Sequence, residues 1–165
     1  MTFNLNRLNG AMLILGGILF VLGIQELRLS LKAGSSPTQI SLAELTSNGP
    51  GGNVYFTVTG IEPSTGEYVA EETATNRMTK VWIPCVPVES TETPKFILYS
   101  TTAPTEADVD GLMLTDTHTG MIINDITGLG REEKDLLRSS LPEIDPDDAY
   151  ILEVNRTPAG FLKYT

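Results

Sequence analysis

The chain has 165 residues, of which 41% are hydrophobic and 19% charged, so it can build one sizeable core and is not disordered along its whole length. Its formal net charge is −10, and the part from residue 35 onward holds 8 basic and 20 acidic side chains. Such a surface repels phosphate groups, which excludes nucleic acid as an expected partner. The single cysteine, Cys85, excludes an internal disulfide and a four-cysteine zinc site.

The first element is an apolar segment. Residues 10–24, GAMLILGGILFVLGI, carry no charge, and the segment can be extended to residues 8–27. Because about 20 helical residues span a bilayer, we predict a signal-anchor helix at 8–27 within an anchor region of residues 1–29. A cleaved signal peptide and a buried soluble helix are the alternatives. Basic residues flank both ends, and the short N-terminal tail favours a single-pass protein whose soluble domain is on the non-cytoplasmic side.

The anchor is followed by small and polar residues and then by a glycine-rich turn. We expect residues 30–40 to form a tether and residues 41–165 to form the soluble domain. Ser41 is a candidate N-cap for a short helix, with Glu44 three residues later. The glycines at 49–52 come after that helix and before a strand, which is the reverse of a phosphate-binding loop, so we interpret them as a turn.

Segments with the composition of β-strands follow at regular spacing. They are NVYFTVTGI, EYVAEET, RMTKVWIPCVPV, KFILYS, GMIINDI and AYILEV. GREEKDLLRSSLP, at residues 130–142, is the one clear helix, with acidic residues in its first turn and an arginine in its last. We therefore predict an α+β domain, mostly antiparallel, that forms a small barrel- or sandwich-like structure with one late helix. An OB-like barrel is one candidate, although the helix is expected after the fourth or fifth strand rather than the third.

An acidic segment provides the candidate metal ligands. Residues 106–111, EADVDG, place carboxylates at the first, third and fifth positions and a glycine at the sixth, as in a calcium loop. The candidate ligands are Glu106, Asp108, Asp110 and, further along, Asp116. The twelfth position is a threonine where such a loop has a bidentate carboxylate, so a solvated acidic loop is the alternative.

Nucleophilic catalysis would have to combine Cys85 with His118, the only histidine. Cys85 lies between two prolines in an apolar segment, which predicts a buried and unreactive thiol. His118, in TDTHTG, is expected in an exposed turn. We therefore predict no enzyme activity and no cofactor.

Several segments resemble a family of uncharacterised bacterial single-pass membrane-anchored proteins. They are the short apolar anchor, SLAELTSNGPGGNVYFTVTG, VWIPCVP, LPEID and ILEVNRTP. The resemblance implies the same layout of anchor and domain, and it brings no activity and no catalytic residue with it.

These features together predict a non-enzymatic domain that is tethered to a membrane through residues 8–27 and binds another protein. Such a domain could serve as an accessory subunit of a larger membrane assembly. The alternative is a sensor domain that binds a small molecule or a divalent metal through the carboxylates of residues 106–116.

Overall fold

A computed structural model describes residues 36–124 and 128–158, together with Phe20. Apart from Phe20, the predicted anchor at 8–27 lies outside the described residues. Within the described ranges, no helix has the length and hydropathy needed to cross a bilayer. The strands are β1 (Thr38–Ser41), β2 (Tyr55–Thr59), β3 (Ile61–Pro63), β4 (Val69–Glu72), β5 (Met78–Pro87), β6 (Phe96–Ser100), β7 (Thr117–Ile122) and β8 (Tyr150–Val154). The helices are α1 (Leu42–Asn48), α2 (Glu106–Met113) and α3 (Arg131–Ser140).

All eight strands belong to one sheet with the order β1-β2-β7-β8-β6-β5-β3, and β4 also pairs with β5. The β1–β2 and β6–β8 pairs are parallel, whereas every other pair is antiparallel. The predicted α+β class with a mostly antiparallel sheet is therefore confirmed, and so is the late helix, α3.

A bend at Gly60 joins β2, the second strand of this order, to β3 at its other end. Only Gly60 separates β2 from β3, yet β2 pairs with β7 while β3 pairs with β5. The backbone of Gly60 has a φ of 69°, which side-chain-bearing residues rarely adopt. Immediately after the bend, the N–H of Ile61 donates to the carbonyl of Asp116, 3.0 Å away, where β7 begins. Strand pairing therefore runs from β2 through β7, β8, β6 and β5 to β3. The bend at Gly60 closes this pairing circuit by joining β3 to β2 through the chain.

Both faces of the sheet are apolar, because its central strands alternate buried side chains to either side. On β5, Val81 and Ile83 belong to one buried cluster and Trp82 belongs to the other. Helices α1 and α2 cover the first face, and α3 covers the second through Leu137. Trp82 also stacks on the ring of Tyr99, with 5.6 Å between the ring centroids. The two buried clusters therefore hold helices on opposite faces of one sheet.

Several short elements were not predicted from the sequence. β1 begins inside the segment that we expected to be a tether, and β3 follows the bend at Gly60. The acidic segment expected to be a loop is helix α2, which lies between β6 and β7. The short helix α1 is confirmed, and the hydroxyl of Ser41 accepts a hydrogen bond from the N–H of Glu44 at 3.2 Å.

Candidate functional site

The four candidate metal ligands do not occupy a calcium loop, because three of them lie on helix α2. Asp108 is used to cap this helix: its carboxylate accepts from the N–H of Thr105, 3.1 Å away, while the hydroxyl of Thr105 accepts from the N–H of Asp108. Glu106 and Asp110 are four residues apart and therefore share another side of the helix. Asp116 lies beyond the helix and accepts a hydrogen bond from the hydroxyl of Thr117 at 3.0 Å.

These positions do not bring the carboxylates together. In the described part of the chain, no group of three or more histidine, cysteine, aspartate or glutamate side chains could hold a metal ion. The helix turns successive side chains about its axis, whereas a calcium loop folds them inward around one point. The predicted loop at residues 106–111 was therefore wrong, and this geometry gives no support to calcium binding through Glu106, Asp108, Asp110 and Asp116.

Glu106 and Asp110 instead contribute to an acidic surface around Tyr68. Burial raises the pKa of the Tyr68 hydroxyl, and the nearby charges of Glu106, Asp110 and Glu72 raise it further. None of these three carboxylates forms an ion pair with a described residue. The domain thus presents negative charge where the sequence predicted metal ligands.

His118 is buried, contrary to the prediction of an exposed turn. It lies on β7 opposite Val58 and is only 6% exposed. Its Nε2 lies 3.0 Å from the carbonyl oxygens of both Leu112 and Thr115, at the end of α2. Because both partners are acceptors, Nε2 carries the proton and donates to them. Burial lowers the pKa of the imidazole, so this histidine fastens the end of α2 to the sheet as a neutral group.

Cys85 is fully buried in the first cluster, as predicted. Burial raises the pKa of its thiol to about 12, and a thiol that stays protonated at neutral pH is a poor nucleophile. His118 engages two backbone carbonyls through its Nε2. The described side chains therefore do not assemble the Cys–His pair that nucleophilic catalysis would need.

The glycines at 49–52 form a turn rather than a phosphate cradle. The N–H of Gly49 donates to the carbonyl of Leu45 at 2.9 Å and so ends α1. The backbones of Gly49 and Gly51 both adopt positive φ, at 74° and 62°. The chain then enters β2, so these backbone N–H groups do not lie at the start of a helix.

Two depressions lie on either side of the contact between Met78 and Pro104, with volumes of about 500 and 600 Å³. The first is lined by the carboxylates of Glu72 and Glu106, and the second by the guanidinium of Arg77. Both are open to solvent, and opposite charges are divided between them. Small-molecule binding through the carboxylates of residues 106–116 stays a prediction: Glu106 lines the first depression, whereas Asp108, Asp110 and Asp116 line neither of the two.

The aromatic face of β5 and β6 is covered by α3. Trp82 is completely buried, and Leu137 and Leu141 belong to the same cluster. An ion pair fastens the helix at its first turn, where Nζ of Lys80 lies 2.8 Å from a carboxylate oxygen of Glu133. This covering helix leaves the stacked aromatic rings inaccessible to a ligand.

The free edge of β1 is the feature that sequence analysis missed. Residues Thr38–Ser41 pair with β2 on one side, and no other described strand pairs with them. Three of the four side chains are exposed, and none is charged. Within the described part of the chain, the other side of β1 is therefore an uncharged strand edge on an acidic domain, and the strand itself contains no protective lysine or proline.

Comparison of the chain with protein-family models, with curated proteins and with solved structures gave no match.

Proposed function

We propose that the chain is a membrane-tethered, non-enzymatic domain that binds another protein, as an accessory subunit of a membrane assembly. The free edge of β1 carries this proposal, because an unpaired strand edge offers main-chain donors and acceptors to an extended segment of a partner. The edge begins within the segment proposed as the tether, at Thr38, so a partner in the same membrane could reach it. The predicted anchor at 8–27 would hold the domain at the membrane, with the domain on the non-cytoplasmic side.

The pairing circuit supports an OB-like barrel as the finer description of the domain. In this interpretation β2 and β3 together form one bent first strand, and β5, β6, β7 and β8 supply the other four. Helix α2 then lies between the third and fourth of these five strands. From the sequence, a helix was expected only after the fourth or fifth strand, and that objection to an OB-like barrel no longer applies. Five strands with Greek-key connections are the definition of this barrel.

The OB-like interpretation also favours a protein partner over nucleic acid. OB folds that bind oligonucleotides use the outer face of their second and third strands, which correspond here to β5 and β6. That face holds Trp82 and Tyr99 beneath α3, and the ion pair of Lys80 with Glu133 fastens the helix above it. The strongly acidic surface would also repel the phosphate groups of a nucleic acid. The uncovered strand edge is thus left as the better binding surface.

Photo-crosslinking of the full-length chain in its source membranes tests this function. A photoreactive side chain replaces Gln39, which is exposed on β1, and in a matched control it replaces Ser140, which is exposed at the end of α3. We expect one protein adduct of discrete mass from position 39 and none from position 140, with the same protein co-purifying in mild detergent. If position 39 yields no adduct and the solubilised chain elutes alone, the proposed function is wrong.

A further inference from the structure

Strand β1 is held in place at both of its ends. At its start, Nδ2 of Asn53 donates to the hydroxyl of Thr38 at 2.7 Å, and Oδ1 of the same side chain accepts from the N–H of Val54 at 2.8 Å. At its other end, the strand continues directly into α1, which is capped by the hydroxyl of Ser41. A strand edge that is already fixed in an extended conformation loses less conformational entropy on pairing than a mobile segment would.

The register of the sheet continues one apolar row of side chains as far as β1. Residues that pair on neighbouring strands have their side chains on the same face of the sheet. His118 of β7 pairs with Val58 of β2, and Val58 pairs with Ile40 of β1. Val58 is completely buried, whereas Ile40 packs against the same buried cluster and stays partly exposed. Among the described strands, none lies beyond Ile40 in this row.

A polar row runs along the opposite face. Thr119 of β7 pairs with Thr57 of β2, and their hydroxyl oxygens are 2.8 Å apart, which is a hydrogen-bond distance. Thr57 pairs in turn with Gln39 of β1, which is exposed. A strand added beyond β1 would continue both rows if it placed an apolar side chain beside Ile40 and a polar side chain beside Gln39.

The main chain of β1 supplies hydrogen-bonding groups for such a strand. Successive residues of a strand direct their N–H and C=O groups to opposite sides within the sheet, so about half of those groups of Thr38–Ser41 point away from β2. None of the four residues is charged and none is proline. Neither charge repulsion nor a missing donor therefore blocks the approach of another strand.

We propose that β1 binds an extended segment of another protein in which apolar and polar side chains alternate, with an apolar one beside Ile40 and a polar one beside Gln39. This inference rests on the proposed function and specifies the form of the partner's segment and its side-chain pattern. A different protein is favoured over a second copy, because residues from 35 onward hold 8 basic and 20 acidic side chains and two such domains would repel each other across a shared edge.

Mapping of photo-crosslinks to single residues tests this inference. In the full-length chain in its source membranes, a short diazirine side chain replaces Gln39 in one variant and Ser41 in another, and mass spectrometry identifies the partner residue that is joined to each. Both positions lie on the same face of β1, two residues apart. We expect the two adducts in one segment of one protein, shifted by two residues, with an apolar residue between them.

Two controls accompany the mapping. Replacing Ser41 removes the cap of α1, so a third variant combines the diazirine at position 39 with Ser41→Ala and should form the same adduct as the position 39 variant. A diazirine at Ser140, which is exposed at the end of α3, should form none.

Adducts that are not two residues apart, or a charged residue between them, would overturn the inference and leave the proposed function standing. An adduct with the mass of two copies, or one that joins two residues of a single chain, would also overturn it, since the chain itself would then occupy β1. If neither position forms an adduct, the inference is wrong, and the proposed function fails as well if the solubilised chain elutes alone.

Discussion

Replacing Gly120 with alanine should strongly destabilise the domain, because the backbone of β8 lies directly against this residue of β7. A Cβ atom at position 120 would overlap the carbonyl oxygen of Glu153 and would lie 2.9 Å from its carbonyl carbon and 3.1 Å from Cα of Val154. All three neighbouring atoms belong to the backbone of β8, which cannot move away as a flexible side chain would. Gly120 itself pairs with Val154 in the register of the two strands.

The size of the effect follows from the type of contact. Inserting one methyl group into a well-packed interior costs about 1–3 kcal/mol when side chains can shift, and more when they cannot. Here the methyl group can be accommodated only if β7 separates from β8, which would break pairing in the middle of the circuit. We therefore expect the free energy of unfolding to fall by more than about 3 kcal/mol. For a domain of this size, the melting temperature should decrease by about 10 °C or more.

Urea unfolding of the full-length chain in detergent, followed by the fluorescence of Trp82, measures this effect. Gly111→Ala is the matched control, since Gly111 lies in exposed helix α2 and no atom lies within 4 Å of an added Cβ. The control should be more stable than the original chain by up to about 1 kcal/mol, because alanine is the better helix former. A Gly120→Ala midpoint within error of the original would refute the close approach of β7 and β8.

Three further predictions concern the histidine, the carboxylates and an asparagine. Burial lowers the pKa of His118 below its ordinary value of 6.5, so the unfolded chain binds a proton before the folded chain does as the pH falls. The free energy of unfolding should therefore decrease below about pH 6.5. His118→Gln should remove this decrease from urea midpoints measured between pH 7.5 and pH 5. Calcium at about 10 mM should leave the melting temperature unchanged, because Asp108 caps the helix and lies on a different side of it from Glu106 and Asp110. A rise in the melting temperature would restore the metal site. Asn124→Ala should lower the free energy of unfolding in urea by about 2 kcal/mol. The Asn124 side chain donates to the carbonyl of Ala149 at 2.5 Å and accepts from the N–H of Ile151 at 2.7 Å, and alanine loses both bonds. An unchanged midpoint would show that water replaces both bonds.

Elements with strong local patterns could be predicted from the sequence, whereas elements that depend on distant contacts could not. The alternation of Phe56 and Val58 and the charge pattern of α3 both identify their elements locally. Helix α2 has aspartates and a glycine, which are poor helix formers, and only Val109 of its residues is buried. Its one local signal was Thr105 followed three residues later by Asp108, the spacing of a capping box.

The placement of His118 had no local signal at all. The threonines on either side of it are typical of a turn, and they lie on β7 with their side chains on the face opposite His118. The imidazole is buried where α2 ends, and the carbonyl oxygens of Leu112 and of Thr115, just beyond the helix, accept hydrogen bonds from its Nε2. Its environment therefore depends on a helix that the sequence did not reveal, and one missed element led to two wrong predictions.

The location of α3 explains why we propose binding at the edge of this domain rather than on its aromatic face. The stacked rings of Trp82 and Tyr99 would form an aromatic platform if they were exposed, but α3 buries them and the Lys80–Glu133 ion pair fixes its first turn. Both partners of this pair are less than half exposed, and hydrogen bonds to Glu133 and Glu71 raise the pKa of Lys80. Its amine therefore stays charged throughout the physiological range. The proposed binding surface is instead the edge of β1, which pairs only with β2 among the described strands. A partner that extends the sheet at β1 could thus bind without displacing α3.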